Sequence, residues 1–435
     1  MPVKPQWLQD DISRETTDDP NIDWYTGGVY KSLYTNIAES YMTFSFDPTY
    51  NSRNQELYPF NYQESVSEYL NKVAGQLSRR IRYLTKVDWI DKTDENQWKV
   101  SYTVTDSVFR SITTNTETFD AVVIASGAFH YPMIPQIPLL NNFKGRIEHT
   151  INYKADIQQY IGKKVLIVGS SFSAIDCIRD LAPYAEIHLS KRSSHWYYPW
   201  FKVVCDTAGI ALRRPAIKQV DDKGNVHFSD GTYTSYDVII FATGYISRFP
   251  FINDKYIHLS DDSSYLQDVY LMMFSIEDPT LSFVGLSVSS IMFRGFELQA
   301  KIVAAVYANK VALPPQEVQR QWFQDRIAKF KARNITVSKF QIIADDELEE
   351  YINELSRLAP QCRTDYKKKT TELTVEAMIL SIELFFFKLL AGIEDALIKL
   401  PGEKERLEKL KQEALKVIAK LPGADPSRNP FLAEK

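Results

Sequence analysis

The chain has 435 residues, of which 44% are hydrophobic and 24% are charged, and its formal net charge is −4. This length allows two domains, and the weakly acidic balance gives no basic surface of the kind that nucleic-acid binding needs. An anionic partner would therefore have to bind at a local basic site. Three widely separated cysteines, Cys177, Cys205 and Cys362, exclude a disulfide framework and a cysteine-rich zinc site, and no metal site is predicted.

The first 28 residues are acidic and show no hydrophobic period, so they are predicted to form a loop. They contain no basic segment followed by an apolar one, and no apolar run in the chain is long enough to cross a bilayer. We therefore expect a cytoplasmic protein without a signal peptide, attached to a membrane at most peripherally.

The next part of the chain contains one helical pattern and two strand-like runs. Apolar residues, including Val66, Tyr69, Leu70 and Val73, recur at helix spacing within residues 56–81. Two β-rich runs, over residues 98–105 and 116–125, predict strands. The second run ends in AVVIASG, which is typical of a strand buried on both faces. Three prolines between residues 132 and 138 then predict an extended linker.

Residues 164–189 are the most informative segment. A buried strand over 164–168, a glycine turn, a helix over 173–181 and a second strand over 186–189 make a βαβ unit. The turn GSSFSA occupies the place of a G-x-G-x-x-G/A dinucleotide turn, so its backbone and the helix N-terminus are predicted to hold a pyrophosphate. A serine replaces the second glycine, and a packed turn without a ligand is the alternative. The predicted phosphate-binding residues are Gly169, Ser170, Ser171, Ser173 and Ala174.

The second strand of this unit ends in Ser190, Lys191 and Arg192. A site for NAD would place an acidic residue there for the ribose 2′-hydroxyl, whereas cations suit the 2′-phosphate of NADP. NADP is therefore predicted, and a solvated basic loop is the alternative. Asp176 and Asp180 lie one turn apart on the intervening helix, where we interpret them as acids that favour the helix dipole without a catalytic role.

A further buried strand is predicted over residues 237–242, after a hairpin turn at Asp230–Gly231. It ends in Thr243 and Gly244, which are predicted to contact the cofactor. The same A-x-G ending follows the earlier strand at residues 125–127. This recurrence suggests two related nucleotide-binding halves.

The tail has a different character. Residues 373–399 and 403–421 predict two helices separated by Pro401–Gly402, and we expect an antiparallel hairpin. The first helix is expected to pack against the second or against the main body, with a membrane-interface helix as the alternative. The second helix carries an apolar stripe of Leu407, Leu410, Ala414, Val417 and Leu421.

Phe143, Gly145, His149 and Tyr153 fit the motif F-x-G-x-x-x-H-x-x-x-[FY] at every specified position. With the segments KSLYTN, ASGAFHYPMIP, FATGY, DPTLSFVGL and FELQAKIVA in order, the chain resembles the flavin-containing monooxygenase family, in particular its shorter fungal and insect-like members, over about residues 27–309. Related Baeyer–Villiger enzymes carry Trp at the last motif position, so Tyr153 points away from them. His149 is expected to order the interdomain linker.

The resemblance implies an enzyme that uses FAD and NADPH and oxygenates nucleophilic nitrogen or sulfur of a small amine or thiol with dioxygen, through a C4a-hydroperoxyflavin. It implies that Asn36 is the active-site asparagine and that Gln299 lies in a segment that returns to the flavin. Two further hypotheses are that the chain attaches peripherally to the endoplasmic reticulum membrane and that it forms a homo-oligomer.

The sequence departs from the family at its start, because residues 1–28 contain no strand, G-x-G-x-x-G turn and helix for FAD. We predict an α/β fold of two dinucleotide-binding (Rossmann-like) domains, with the NADP domain inserted in an incomplete FAD domain, and a C-terminal helical hairpin. The predicted limits are 1–150 and 256–370 for the FAD side, 151–255 for the NADP domain and 371–435 for the tail. Two alternatives to the enzyme are a non-catalytic NADP-binding relative with a vestigial flavin site and an interaction protein that works through the hairpin.

Overall fold

The computed structural model describes residues 28–48, 60–106, 111–192, 199–289, 291–362 and 371–421. The chain divides into two compact units. Unit 1 takes the residues up to Asn36, Pro132–Gly244 and the tail from Lys369, and unit 2 takes Ile37–Tyr131 and Tyr245–Lys368. The predicted domain limits stay predictions.

The helices are α1 (Gln63–Gln76), α2 (Phe172–Leu181), α3 (Pro199–Asp206), α4 (Met292–Tyr307), α5 (Gln316–Ala332), α6 (Asp345–Leu358), α7 (Thr371–Lys399) and α8 (Lys404–Ile418). The strands are β1 (Thr85–Lys92), β2 (Trp98–Asp106), β3 (Ser111–Phe119), β4 (Val122–Ile124), β5 (Tyr131–Pro132), β6 (Arg146–His149), β7 (Lys164–Val168), β8 (Glu186–Ser190), β9 (Leu212–Arg214), β10 (Ile217–Val220), β11 (Val226–Phe228), β12 (Tyr233–Thr234), β13 (Val238–Phe241), β14 (Tyr245–Ile246), β15 (Val269–Tyr270), β16 (Phe274–Ser275) and β17 (Leu281–Phe283).

Unit 1 is built on a five-stranded sheet in the order β6-β13-β7-β8-β9, and every pair in it is parallel. The central strands are apolar on both faces, and Val165, Leu166 and Ile167 are fully buried. The βαβ prediction is confirmed. Strand β7 has the predicted limits, α2 begins one residue early at Phe172, and β8 extends one residue further to Ser190.

A small antiparallel sheet, β10-β11-β12, also belongs to unit 1. Its hairpin confirms the predicted turn, because Gly231 has φ +84° and the Phe228 N–H donates to the Thr232 carbonyl over 2.8 Å. A left-handed residue at this point suits glycine. The strand predicted over residues 237–242 is the shorter β13.

The tail forms the predicted pair of helices, with α7 packed against both α8 and α2 within unit 1. Leu407, Leu410 and Ala414 are buried as predicted, but Ile418 completes the buried stripe, while Val417 and Leu421 are only partly buried. Packing on the main body is therefore confirmed for the described part of the tail. No helix within the described residues is both long and apolar enough to cross a membrane.

The tail is also joined to α2 by polar contacts. Arg406 donates from Nη1 to the Ala182 carbonyl (3.0 Å) and from Nη2 to the Pro183 carbonyl (2.8 Å). These carbonyls follow the C-terminus of α2, where acceptors lack partners within the helix and a cation is favoured. Tyr184 donates to the Asp395 carboxylate over 2.5 Å.

Unit 2 contains the antiparallel meander β1-β2-β3 and a sheet in the order β15-β16-β17-β4, in which β17 and β4 are parallel. The sequence prediction missed β1, and its single strand over residues 116–125 is wrong, because the chain turns between Phe119 and Val122. Burial of this run on both faces is also wrong. Val123 is 45% exposed, so the face of β4 that carries its side chain is not fully covered.

The predicted helix over residues 56–81 is shorter in the structure, where α1 covers Gln63–Gln76, and residues 49–59 lie outside the described ones. Tyr69 and Val73 are buried, and Leu70 is exposed. The core of unit 2 lies between α4, α5 and α6, around the fully buried Phe340 and Leu355.

Candidate functional site

The carboxyl ends of β7, β8 and β13 lie side by side at one edge of the parallel sheet in unit 1. The Gly169 N–H donates to the Ser190 carbonyl over 2.9 Å, and the Ala242 N–H donates to the Val168 carbonyl over 2.8 Å. The structure therefore brings together the predicted residues after three strands, which are distant in sequence. Ligands of open α/β sheets bind at such an edge.

Gly169 is required by the geometry of the first turn. Its φ is +115°, and a Cβ built on it would stand 2.2 Å from the Ala242 carbonyl oxygen. Any side chain here would collide with the backbone of β13 or push the strands apart. Ala174 is fully buried where α2 crosses the sheet, as the predicted close packing of helix on strand requires.

The N-terminus of α2 follows this turn directly. Ser171 precedes the helix in an extended conformation (φ −109°), and within the described residues its side chain makes no capping hydrogen bond. Ser171 is exposed, and Ser170 and Ser173 are partly exposed. Four N–H groups at a helix start have no partner within the helix and carry a partial positive charge. This turn therefore has the geometry to hold a pyrophosphate, and the Cβ of Ser171 is accommodated because its backbone is extended.

Cations follow β8 and β9 at the same edge. Burial lowers the pKa of Lys191, and the charge of Arg213 lowers it further. Arg192 is exposed. Arg213 forms an ion pair with the carboxylate of Asp206. The sequence prediction missed Arg213, although the pair RR after a short apolar run was a signal for it. Ser190 is buried and its hydroxyl donates to the Pro215 carbonyl (2.7 Å), so its side chain is engaged with the protein.

Gly244 and His149 fix the end of β13. Gly244 has φ +83°, and its carbonyl accepts from the Met133 N–H (2.8 Å) and from Nε2 of His149 (3.0 Å). Nδ1 of His149 accepts from the Ile151 N–H over 3.1 Å. Burial lowers the pKa of His149 to about 4, so the ring is neutral near pH 7, with its proton on Nε2. The Thr243 hydroxyl donates to the Met133 carbonyl over 2.5 Å.

The other residues of the F-x-G-x-x-x-H-x-x-x-[FY] motif also hold unit 1 together. A Cβ on Gly145 would stand 2.2 Å from the Asp237 carbonyl oxygen at the start of β13. Phe143 is buried, and Tyr153 is fully buried and donates to Asp180 over 3.1 Å. The motif is therefore explained by packing and hydrogen bonds within the unit.

Asp176 and Asp180 belong to a buried ionic cluster. Arg179, 2% exposed, donates to Asp176 over 2.7 Å and to Asp180 over 2.8 Å. Burial raises the pKa of Asp176, against the opposing charge of Arg179. The interpretation of these acids as helix-dipole partners is wrong, because both lie beyond the first turn of α2 and pair with Arg179.

The remaining predicted residues, Asn36 and Gln299, are distant in sequence from the residues of this edge. Asn36 is exposed and is the last residue of the first segment of unit 1. Gln299 is fully buried in unit 2, where Oε1 accepts from the Gly285 N–H (3.0 Å) and Nε2 donates to Ser287 (3.0 Å) and Tyr351 (2.9 Å). Its amide thus fixes the turn after β17. Their roles at the cofactor stay predictions.

A flavin pyrophosphate would need a turn like that at Gly169. Among the described residues of unit 2, no glycine turn joins a strand directly to a helix, so no such cradle is identified there. The predicted absence of a flavin fingerprint concerns residues 1–28, of which 1–27 lie outside the described residues. In the part of the chain that the structure describes, no cluster of side chains could hold a metal ion.

A known protein family matches this chain. The family described as "FMO-like: Flavin-binding monooxygenase-like" matches residues 21–204 and 201–388, which is most of the chain. The chain therefore belongs to the flavin-binding monooxygenase-like family, and the resemblance found in the sequence is confirmed.

Two curated relatives are similar in sequence. A flavin-containing monooxygenase of Arabidopsis thaliana, FMO GS-OX-like 6, is 30% identical over 334 residues, which are 74% of this chain and 67% of that protein. The trimethylamine monooxygenase of Methylocella silvestris is 31% identical over 239 residues, 54% of this chain and 50% of that protein. The chain thus matches between half and two thirds of the length of these relatives.

Solved structures show the fold. The S-allyl-L-cysteine S-oxygenase of Allium sativum superposes with a TM-score of 0.67 at 24% identity, over 90% of this chain and 85% of that one. A cyclohexanone monooxygenase in its open form superposes with a TM-score of 0.52 at 15% identity, over 78% of this chain and 90% of that one. The predicted α/β fold with two Rossmann-like domains is confirmed.

Proposed function

We propose that this chain is an FAD- and NADPH-dependent monooxygenase that oxygenates a nucleophilic nitrogen or sulfur atom of a small molecule. The observation that carries the proposal is the sheet edge of unit 1, where Gly169 leads into the N-terminus of α2 beside Lys191, with no side-chain cap among the described residues. When bound, NADPH supplies a hydride and FAD supplies the reaction with dioxygen.

In this proposal the protein discriminates NADPH from NADH at the ends of β8 and β9. Lys191 and Arg213 are close enough for the charge of Arg213 to depress the pKa of Lys191. Two cations that repel one another are both stabilised by a dianionic 2′-phosphate, whereas a ribose hydroxyl leaves their repulsion in place. Asp206 holds Arg213 in an ion pair and would share it with the phosphate.

The substrate class is supported by the names of similar proteins. One relative is a trimethylamine monooxygenase and one structural neighbour is an S-allyl-L-cysteine S-oxygenase. Amine nitrogen and thioether sulfur share the property that matters, a polarisable lone pair that can attack an electrophilic oxygen. Asn36 is proposed at the contact of flavin and nicotinamide, and Gln299 is proposed to act through the turn at Gly285.

The first experiment separates the cofactors. NADPH and NADH affinities are measured by titration calorimetry for the full chain, for Lys191→Gln and for Lys218→Gln, an exposed lysine of unit 1 on β10. Lys191→Gln should weaken NADPH binding by about tenfold or more and leave NADH binding unchanged. Equal loss of both nucleotides, or the same loss in Lys218→Gln, would contradict the assignment of the 2′-phosphate.

The second experiment tests the reaction. FAD is quantified from the visible spectrum of the purified chain, and NADPH oxidation is followed with trimethylamine and with S-allyl-L-cysteine as probes. Stoichiometric flavin with oxygenated product would support the proposal. Asn36→Ala should lower product formed per NADPH consumed and leave NADPH affinity unchanged. A chain that binds NADPH but cannot be loaded with FAD would refute the enzyme and leave the non-catalytic NADP-binding alternative.

A further inference from the structure

The segment that carries Asn36 lies outside the helices and strands of unit 1. It covers residues 30–36, all of which belong to that unit. Within the segment, the Leu33 N–H donates to the Tyr30 carbonyl over 3.0 Å. A stretch without a helix or a strand ladder depends on contacts with the rest of the protein for a defined conformation. The place of Asn36 is therefore set by whatever holds the residues before it.

The first half of this segment is attached to α2. The Tyr30 hydroxyl donates to the Asp176 carboxylate. The Ser32 hydroxyl donates to the Asp180 carboxylate, which stands one helical turn further along α2. The Tyr30 ring also packs edge-on against the fully buried ring of Tyr153, with the two centroids 5.3 Å apart. Two hydroxyls in the segment thus meet two carboxylates on one helix, which fixes the segment along α2.

The second half of the segment is held at Tyr34, whose ring lies beside two cations from different parts of the chain. The guanidinium of Arg179 on α2 stands 4.8 Å from the ring centroid. Nζ of Lys388, on the tail helix α7, stands 4.4 Å from it. A cation over an aromatic ring is stabilised by the electrons of its face. Lys388 therefore connects the tail to the residue two positions before Asn36.

Lys388 also adds a second positive charge to the buried ionic cluster of α2. Asp176 and Asp180 both pair with the single guanidinium of Arg179. Burial raises the pKa of Asp176, and the positive charges of Arg179 and Lys388 oppose that rise. A buried carboxylate without enough positive charge around it is costly. Loss of Lys388 would thus weaken the contact at Tyr34 and also the carboxylates that hold the first half of the segment.

We propose that Lys388 is a positioning residue, which holds residues 30–36 against α2 and thereby sets the place of Asn36 for the monooxygenase reaction. The inference rests on the proposed function, because Asn36 has its role only there. Lys388 acts through Tyr34 and takes no part in the reaction itself. The C-terminal tail is then a working part of the active site, in addition to its packing on unit 1.

The test compares three variants of the full chain. Lys388→Met removes the charge and keeps an unbranched apolar side chain, and Lys388→Arg keeps the charge. The control, Lys411→Met, removes another cation of the tail, one that pairs with Glu394 inside the tail. Amide hydrogen exchange is first measured by mass spectrometry without added nucleotide. Lys388→Met should speed exchange in residues 30–36 by about fivefold, whereas Lys388→Arg and Lys411→Met should exchange like the wild type.

The second readout separates positioning from stability. Oxygenated product per NADPH consumed is measured with trimethylamine for the flavin-loaded chain, and NADPH affinity is measured by calorimetry. Lys388→Met should lower the product per NADPH by about threefold or more, because a small displacement of a positioned group is enough to lower the rate of a reaction. Its NADPH affinity should stay at the wild-type value, and Lys388→Arg should restore the product ratio.

Three results would contradict the role of Lys388. Faster exchange throughout unit 1 in Lys388→Met, or the same change in Lys411→Met, would mean that the tail only stabilises the unit. Wild-type product per NADPH in Lys388→Met would overturn the inference even if exchange were faster. A wild type that binds flavin and NADPH but forms no oxygenated product would instead refute the proposed function, and this outcome is recognised without any variant.

Discussion

His149 makes the stability of this protein sensitive to mild acid. The ring is fully buried, accepts from Ile151 and donates to Gly244, and its pKa is lowered to about 4 from the usual 6.5. Because the folded state keeps the ring neutral while the unfolded chain binds a proton below pH 6.5, unfolding takes up a proton between these two values. The stability contributed by the neutral ring is therefore complete above pH 6.5 and is lost as pH falls toward 4.

The magnitude follows from the two pKa values. A difference of 2.5 (6.5 − 4) corresponds to about 3 kcal/mol at most, since one pKa unit is about 1.4 kcal/mol. Between pH 7.5 and pH 5.0 the loss is about 2 kcal/mol, because pH 5.0 still lies above the folded pKa of about 4 and the rest of the loss occurs between these two values. His149→Gln removes the titrating group, so its free energy of unfolding should fall by about 2 kcal/mol less than that of the wild type over this interval.

The assay is urea denaturation at pH 7.5 and at pH 5.0, followed by circular dichroism, for wild type, His149→Gln and His258→Gln. The variant should also be less stable at pH 7.5, by about 1–3 kcal/mol, because the Ile151 N–H or the Gly244 carbonyl loses a partner. His258, 49% exposed, controls for the removal of a surface histidine. The reasoning would be refuted if His149→Gln kept the full wild-type loss of stability between the two pH values, or if His258→Gln flattened it equally.

Three further predictions test the structure. Gly169→Ala should abolish NADPH binding and lower the melting temperature, because its Cβ would stand 2.2 Å from a carbonyl oxygen. The control Gly231→Ala changes a left-handed glycine that has open space around it, and it should cost only about 1 kcal/mol. Similar melting curves for the two variants would contradict this prediction. In the tail, Phe386→Ala should cost about 3–5 kcal/mol in urea denaturation because the ring is fully buried, whereas Ile398→Ala, 72% exposed, should stay within about 0.5 kcal/mol. Arg179→Met should cost about 3–5 kcal/mol at pH 7 because two carboxylates lose their buried cation; a smaller cost at pH 7 than at pH 5 would count against it.

Local sequence patterns were sufficient for the parallel core of unit 1 and for the tail. An apolar run buried on both faces, a glycine and an amphipathic helix define β7, the Gly169 turn and α2 almost to the residue, since each depends on contacts within a few positions. The same holds for the hairpin at Gly231 and for the two tail helices. The family could also be identified from the sequence, because its motif residues are spaced along one continuous segment.

The tertiary structure decided what depends on distant contacts. The division of residues 116–125 into β3 and β4 follows from different partners, the meander on one side and β17 on the other, which no local pattern encodes. Arg213 joins Lys191 only because β9 pairs with β8. Glycine is required at positions 145 and 169 because a backbone carbonyl at either end of β13, that of Asp237 for Gly145 and that of Ala242 for Gly169, stands close to where a Cβ would be. Each carbonyl is more than 70 residues away in sequence. A sequence shows that a glycine is present, but the atom that forbids any other residue is known only once the strands are paired.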